Sequence, residues 1–296
     1  MPVPSRGYVR LRLRPDILLA VLAAGLIALS GCGGGSDRKD SSSAATAGGK
    51  AAEAPKQRRV AELVAPANPP ARKVTVPVLT YHRVNNLRPG ANEIETDLTI
   101  EPEVFAQEMH ALAQAGFHSI TQQQLFDALY KGAALPSKPV LITVDDGYLD
   151  DLERILPVLQ REGLKATFFV ITGRFHVGGF MNENQVRQLD QAGMDIGDHT
   201  HTHVDLRLLD PAERSRQIAG SRAELEKVLG HPVYSFAYPF GKYDDNVVEA
   251  VRRAGFTFAY TTEGGTELNT RAPLLMPRLH VGRDETPSGL LSLVGG

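Results

Sequence analysis

The 296-residue chain has no tryptophan and a single cysteine, Cys32. One cysteine excludes an intramolecular disulfide and any cysteine-built metal centre. No apolar run reaches the roughly 20 residues that a membrane-crossing helix needs, and residues 17–29 would make only about 20 Å of helix. Internal repeats are absent, and no glycine-rich phosphate loop follows the first predicted strand. The formal charge of -2 is unevenly spread, with +3 on residues 1–31, +4 on residues 32–73 and therefore -9 on the remainder. An acidic main body argues against a nucleic-acid partner and is compatible with a neutral or cationic substrate. With 42% apolar and 22% charged residues, that body is expected to be a soluble globular domain with a large core.

The N-terminus joins four arginines (Arg6, Arg10, Arg12, Arg14) to the short apolar run, the pattern of a signal peptide over residues 1–31. Its end, Leu29-Ser30-Gly31-Cys32, resembles a bacterial lipoprotein signal. That resemblance implies a lipid-modified Cys32 as the first mature residue and a membrane anchor there. Gly33 after the cysteine implies, for a Gram-negative host, the periplasmic face of the outer membrane. Residues 32–73 are rich in Gly, Ser, Ala, Lys and Pro and read as a tether of about 35 Å root-mean-square span. A single domain is expected over residues 74–296.

Within it, short β-branched runs alternate with amphipathic segments. Strands are expected at 74–82, 139–144, 166–171, 194–197, 234–238, 256–261 and 279–281. Helices are expected to open at Glu101-Pro102, at the cap-like Thr121, near Leu152, at Asn182 and at Asp210-Pro211. Seven strands separated by helices point to an α/β fold, a distorted parallel (β/α)7-type barrel. Catalytic groups of such barrels sit at the C-terminal ends of strands.

Three polar clusters fall at those ends: Tyr81-His82, Asp145-Asp146-Gly147 and the stretch from Asp198 to His203. Adjacent carboxylates after a buried apolar strand are costly unless a cation compensates them. His199 and His203 are four residues apart, so a helical turn would aim both imidazoles the same way. One aspartate and two histidines would leave an open coordination position, as in catalytic zinc sites.

The order Thr143-Val144-Asp145-Asp146-Gly147, then His199-Thr200-x-x-His203, then Phe236-Ala237-Tyr238-Pro239-Phe240-Gly241 resembles the polysaccharide deacetylases that share the NodB-homology domain. The likeness covers residues 76–285. It implies a hydrolase acting on carbon–nitrogen bonds, with Asp146, His199 and His203 holding a divalent metal (zinc first, then cobalt, nickel or iron) and Asp145 as the base. Tyr81-His82, the third motif and the anchor look most like the biofilm enzymes that de-N-acetylate poly-N-acetylglucosamine, which implies a polysaccharide substrate and proximity to export machinery.

On this reading the backbone N–H of Phe240 stabilises the oxyanion, with Tyr238 and Tyr81 on the substrate, and His82, preferred to His280, is the acid. The aromatic wall would come from Tyr148, Phe175, Tyr238 and Phe240. Ala237 stands where the family often has an arginine that orients the base, so another group must do so here. Peptidoglycan or chitin-like N-deacetylation, O-acetyl ester hydrolysis and a catalytically silent polysaccharide-binding lipoprotein are the alternative functions.

Overall fold

The computed structural model describes residues 60–295. The expected signal peptide, Cys32 and the first part of the tether lie outside them. Seven parallel strands make the framework: β1 (Val78–Tyr81), β2 (Pro139–Asp146), β3 (Thr167–Val170), β4 (Asp195–Asp198), β5 (Ser235–Ala237), β6 (Phe258–Tyr260) and β7 (Leu279–His280). They pair in the order β7-β1-β2-β3-β4-β5-β6. The residues just before β7 then reach across to β6: Met276 N donates to Ala259 O at 2.8 Å, Thr261 N to Met276 O at 2.9 Å and Arg278 N to Glu263 O at 2.9 Å. This one stretch closes the ring, giving the distorted parallel barrel expected from the sequence.

Period-two alternation sorts each strand between two cores. Leu79 and Tyr81, Ile142 and Val144, and Phe168 and Val170 pack outward against helices, together with Phe105, Met109, Leu159 and Val186. Val78, Leu141, Phe169, Ala237, Phe258 and Tyr260 face inward. The capping signals perform as read. Thr121 and Asn182 each close a capping box, and Asp210 accepts from the backbone of Ala212 and Glu213 ahead of Pro211. The helix placed near Leu152 instead begins with a wide π turn, Asp151–Ile155, before Leu156–Glu162.

The folded body starts earlier than residue 74. Leu63 is 2% exposed within the inner core, where Val60 and Ala65 pack against it. Thr257 donates to its carbonyl. Lys73–Thr75 pairs antiparallel with Glu267–Asn269. A few apolar residues among alanines and prolines suffice because they cover the N-terminal end of the barrel, where Leu63 shares a cavity with the strand-start residues Asp195 and Ser235.

Candidate active site

Parallel registry aligns the polar strand ends. Asp146 lies level with Val170, Val170 with Asp198, and Asp198 with Phe236. At this rim four of the five non-glycine residues with left-handed backbone among the described residues are found: Asp146 (φ 82°), Thr200 (φ 68°), His203 (φ 55°) and Phe240 (φ 58°). Such strain gathers where the surroundings over-determine a functional geometry. Gly147 (φ 76°) continues the turn after Asp146, and a Cβ there would press on Val170 at 3.2 Å.

His199 and His203 do meet, with ring centroids 4.8 Å apart, but not on a helical turn. The chain from 199 to 205 is a loop. Asp198 Oδ1 accepts from Thr200 N at 2.7 Å, and Thr200 Oγ1 accepts from His203 N at 2.9 Å. These side-chain bonds support the left-handed turns that bring the rings together, so the four-residue spacing works through a tight turn. His199 Nδ1 donates to Ala237 O at 2.8 Å, which fixes the tautomer and leaves Nε2 for the site. Burial pushes His199 down to about 3, so it is neutral at pH 7. His201 is aimed elsewhere, at Thr172 and Glu224.

Asp146 Oδ1 is sealed from solvent and lacks a hydrogen-bond partner. The Nε2 atoms of His199 and His203 lie 3.6 and 3.7 Å from it, too far to satisfy it. Among the described residues, Asp146, His199 and His203 form the one group of three whose ligand atoms, all within 4.8 Å of one another, fit a shared cation. Burial and the neighbouring Asp145 push Asp146 up to about 7.

Asp145 has the opposite environment. Burial pulls it upward, yet the Arg278 guanidinium, with His199 and His82, outweighs this and holds it well below the usual carboxylate range. Arg278 grips both carboxylate oxygens at 2.8 Å. Sequence reasoning missed Arg278, two residues before the His280 that it weighed as an acid. The available signal was parity: residues 278 and 280 share a strand face.

A cavity of about 360 Å³ opens over these groups, lined also by His82, His280, Asp97, Leu98 and Thr262. His82 and His280 are 6.2 Å apart by ring centroid. His82 Nδ1 is sealed without a partner, and burial pushes this imidazole down to about 4 against the upward pull of Asp145. His280 is closer to solvent and its Nε2 donates to Asp97 Oδ2 at 2.9 Å. Asp97, another residue missed, comes from the excursion between β1 and the helix Pro102–Gln114.

The aromatic expectations need correction. Tyr81 is fully buried on the outward face of β1, donating to Glu108 at 3.1 Å and edge-on to Phe105; it lies away from the cavity, because Thr80 and His82 have the inward parity. Tyr238 lines the cavity, but its hydroxyl is committed to Leu274 O at 3.0 Å. Phe175 is a core residue, and Tyr148 stacks on Phe180 at 4.6 Å. Phe240 remains on the site, 56% exposed and edge-on to His203 at 4.4 Å.

Residues 132–259 match the family model described as polysaccharide deacetylase. The Bacillus subtilis protein YxkH is 27% identical over 206 residues, covering 70% of this chain and 71% of that protein. The poly-beta-1,6-N-acetyl-D-glucosamine N-deacetylase of Staphylococcus epidermidis is 23% identical over 232 residues, 70% of this chain and 78% of that one. The solved Streptococcus pyogenes deacetylase PplD superimposes with a TM-score of 0.69 at 26% identity, over 75% of this chain and 99% of that chain. With the barrel and its strand-end carboxylates and histidines, these likenesses show that the chain is a hydrolase carrying a polysaccharide deacetylase domain.

Proposed function

We propose that the enzyme removes N-acetyl groups from an exported, poly-N-acetylglucosamine-like polysaccharide and releases acetate. The observation that carries this is the pairing of an unsatisfied Asp146–His199–His203 cluster with a separately anchored carboxylate, Asp145, in one cavity. The staphylococcal relative supports the choice of polymer. A divalent metal, zinc first, fits Asp146, His199 and His203 and when bound would supply Lewis acidity for water and for the acetyl carbonyl. Asp145 takes the proton of the attacking water. The backbone N–H of Phe240, in the left-handed turn that carries its ring over His203, faces the developing oxyanion. His82, inward on β1 and lining the cavity, hands a proton to the leaving nitrogen, giving a free amine and acetate; burial opposes its protonated form, and the Asp145 carboxylate beside it pulls towards that form.

The second reading for the proton donor is His280, favoured by its bond to Asp97, which orients the ring at the cavity wall. For the whole protein we retain lipidation at Cys32, a tether and the periplasmic face of the outer membrane, beside polymer-export machinery. Acetate release from β-1,6- and β-1,4-linked N-acetylglucosamine pentamers with added zinc tests the reading. Release from the first supports it. Preference for the second moves the substrate to chitin- or peptidoglycan-like polymers. Release only from an O-acetylated polysaccharide makes the enzyme an esterase, and binding without any release makes it a silent polysaccharide binder.

A further inference from the structure

Arg278 is 2% exposed, and its side-chain bonds go to Thr143 and Asp145 on β2 and to Thr261 just past β6. Nε donates to Thr261 O at 2.9 Å, just past β6. Nη1 donates to Thr143 Oγ1 at 3.2 Å and Asp145 Oδ1 at 2.8 Å, and Nη2 to Asp145 Oδ2 at 2.8 Å. A buried guanidinium bound fork-to-fork is fixed in its plane and fixes the carboxylate it grips. Its backbone is held from both sides as well, by Arg278 N to Glu263 O and, three residues on, by Val281 N to Thr80 O at 3.1 Å. Arg278 therefore sits in the stretch that joins β6 to β1. Ala237 offers the site only its carbonyl, which His199 occupies.

We propose that Arg278 is the positioning residue for Asp145 and that ring closure by residues 276–281 delivers it, so that closing the barrel and orienting the base are one structural event. The inference rests on Asp145 being the base. A guanidinium is required because four acceptor atoms, on β2 and just past β6, must be met by one planar group, which the single ammonium of lysine cannot do.

The test uses the full chain with Arg278→Met, Arg278→Lys, Asp145→Asn and the Arg278→Met/Asp145→Asn double variant. Acetate release from the N-acetylglucosamine pentamer is measured beside hydrolysis of 4-nitrophenyl acetate, which needs the water attack but no sugar. Zinc affinity and the thermal midpoint are recorded for each variant. Arg278→Met is expected to lower kcat at least ~100-fold with KM and zinc affinity within about 3-fold, the scale of a misplaced general base. Arg278→Lys should recover less than about a tenth of the activity, since a point charge replaces the fork. Because Arg278 acts through Asp145, the double variant should be no slower than Asp145→Asn within about 3-fold.

A folded Arg278→Met enzyme with kcat near the parent's would overturn the proposal. So would a double variant slowed below Asp145→Asn by the factor that Arg278→Met alone produces, which marks a purely structural arginine. If the methionine variant does not fold, the lysine variant is read by the same criteria. A parent that releases no acetate from any sugar yet cleaves the ester refutes the proposed substrate and still reads the Arg278–Asp145 coupling. Inactivity on both refutes both.

Discussion

The two ends of the barrel solve the same problem in opposite ways. At the N-terminal end, the polar groups of Gln122, Asp195, Thr167 and Tyr260 satisfy one another inside the protein. Gln122 N donates to Asp195 at 2.8 Å, its amide nitrogen donates to Thr167 at 3.0 Å, and its oxygen accepts from Tyr260 at 2.9 Å, with Leu63 covering that end. At the C-terminal end, buried atoms of Asp146 and His82 have no partner and the backbone is strained at four non-glycine positions. The first end can be read as stability and the second as binding capacity held in reserve.

The sharpest way to break this comparison is to remove the proposed cation. Chelation should abolish acetate release while the circular dichroism spectrum stays native, and zinc should restore it, since the protein's own bonds hold the rim. Loss of folding on chelation would mean the rim is not pre-formed.

Next in size, Asp145→Asn should lower kcat by roughly 10²–10⁴-fold, the range of a general base. The donor assignment follows the same scale. His82→Ala should cost on the order of 10²-fold or more in kcat and His280→Ala less than about 10-fold, and the reverse ranking would transfer the role to the His280–Asp97 pair.

Stability should respond in the opposite sense at the two ends. In the metal-free protein the Asp146 carboxyl, pushed up to about 7, binds its proton more tightly folded than unfolded. Its contribution is therefore fully present below pH about 4 and lost as pH rises through about 7. Asp146→Asn should flatten that part of the stability-versus-pH curve and abolish activity, as urea titrations at pH 5 and 8 would reveal. At the other end, Leu63→Ala should cost roughly 2–3 kcal/mol and leave kcat unchanged, because it opens a cavity far from the rim.

Much of this was legible in the chain because the information is local. Seven apolar β-branched runs marked the strands, and Thr121, Asn182 and Asp210 marked helix starts. Motif order brought Asp145, Asp146, His199 and His203 to one rim. The failures come from long-range or compensated geometry. The histidine turn is left-handed without a glycine, which spacing alone does not reveal. Tyr81 was misassigned because its parity was not compared with that of Thr80 and His82. Arg278 became meaningful only once residues 276–281 pair with both β6 and β1, contacts distant in sequence. The patch around Leu63 was too short to register as structure, yet the barrel end gives it a place to be buried.

The most direct test of the central claim, that the C-terminal rim is a metal-supported hydrolytic centre with Asp145 as base, is acetate release from a β-1,6-linked N-acetylglucosamine pentamer during zinc titration of the metal-free enzyme. The account predicts activity that rises to a plateau at one zinc per chain and is lost in Asp145→Asn, which still binds zinc. Undiminished release without metal, or from Asp145→Asn, would contradict it.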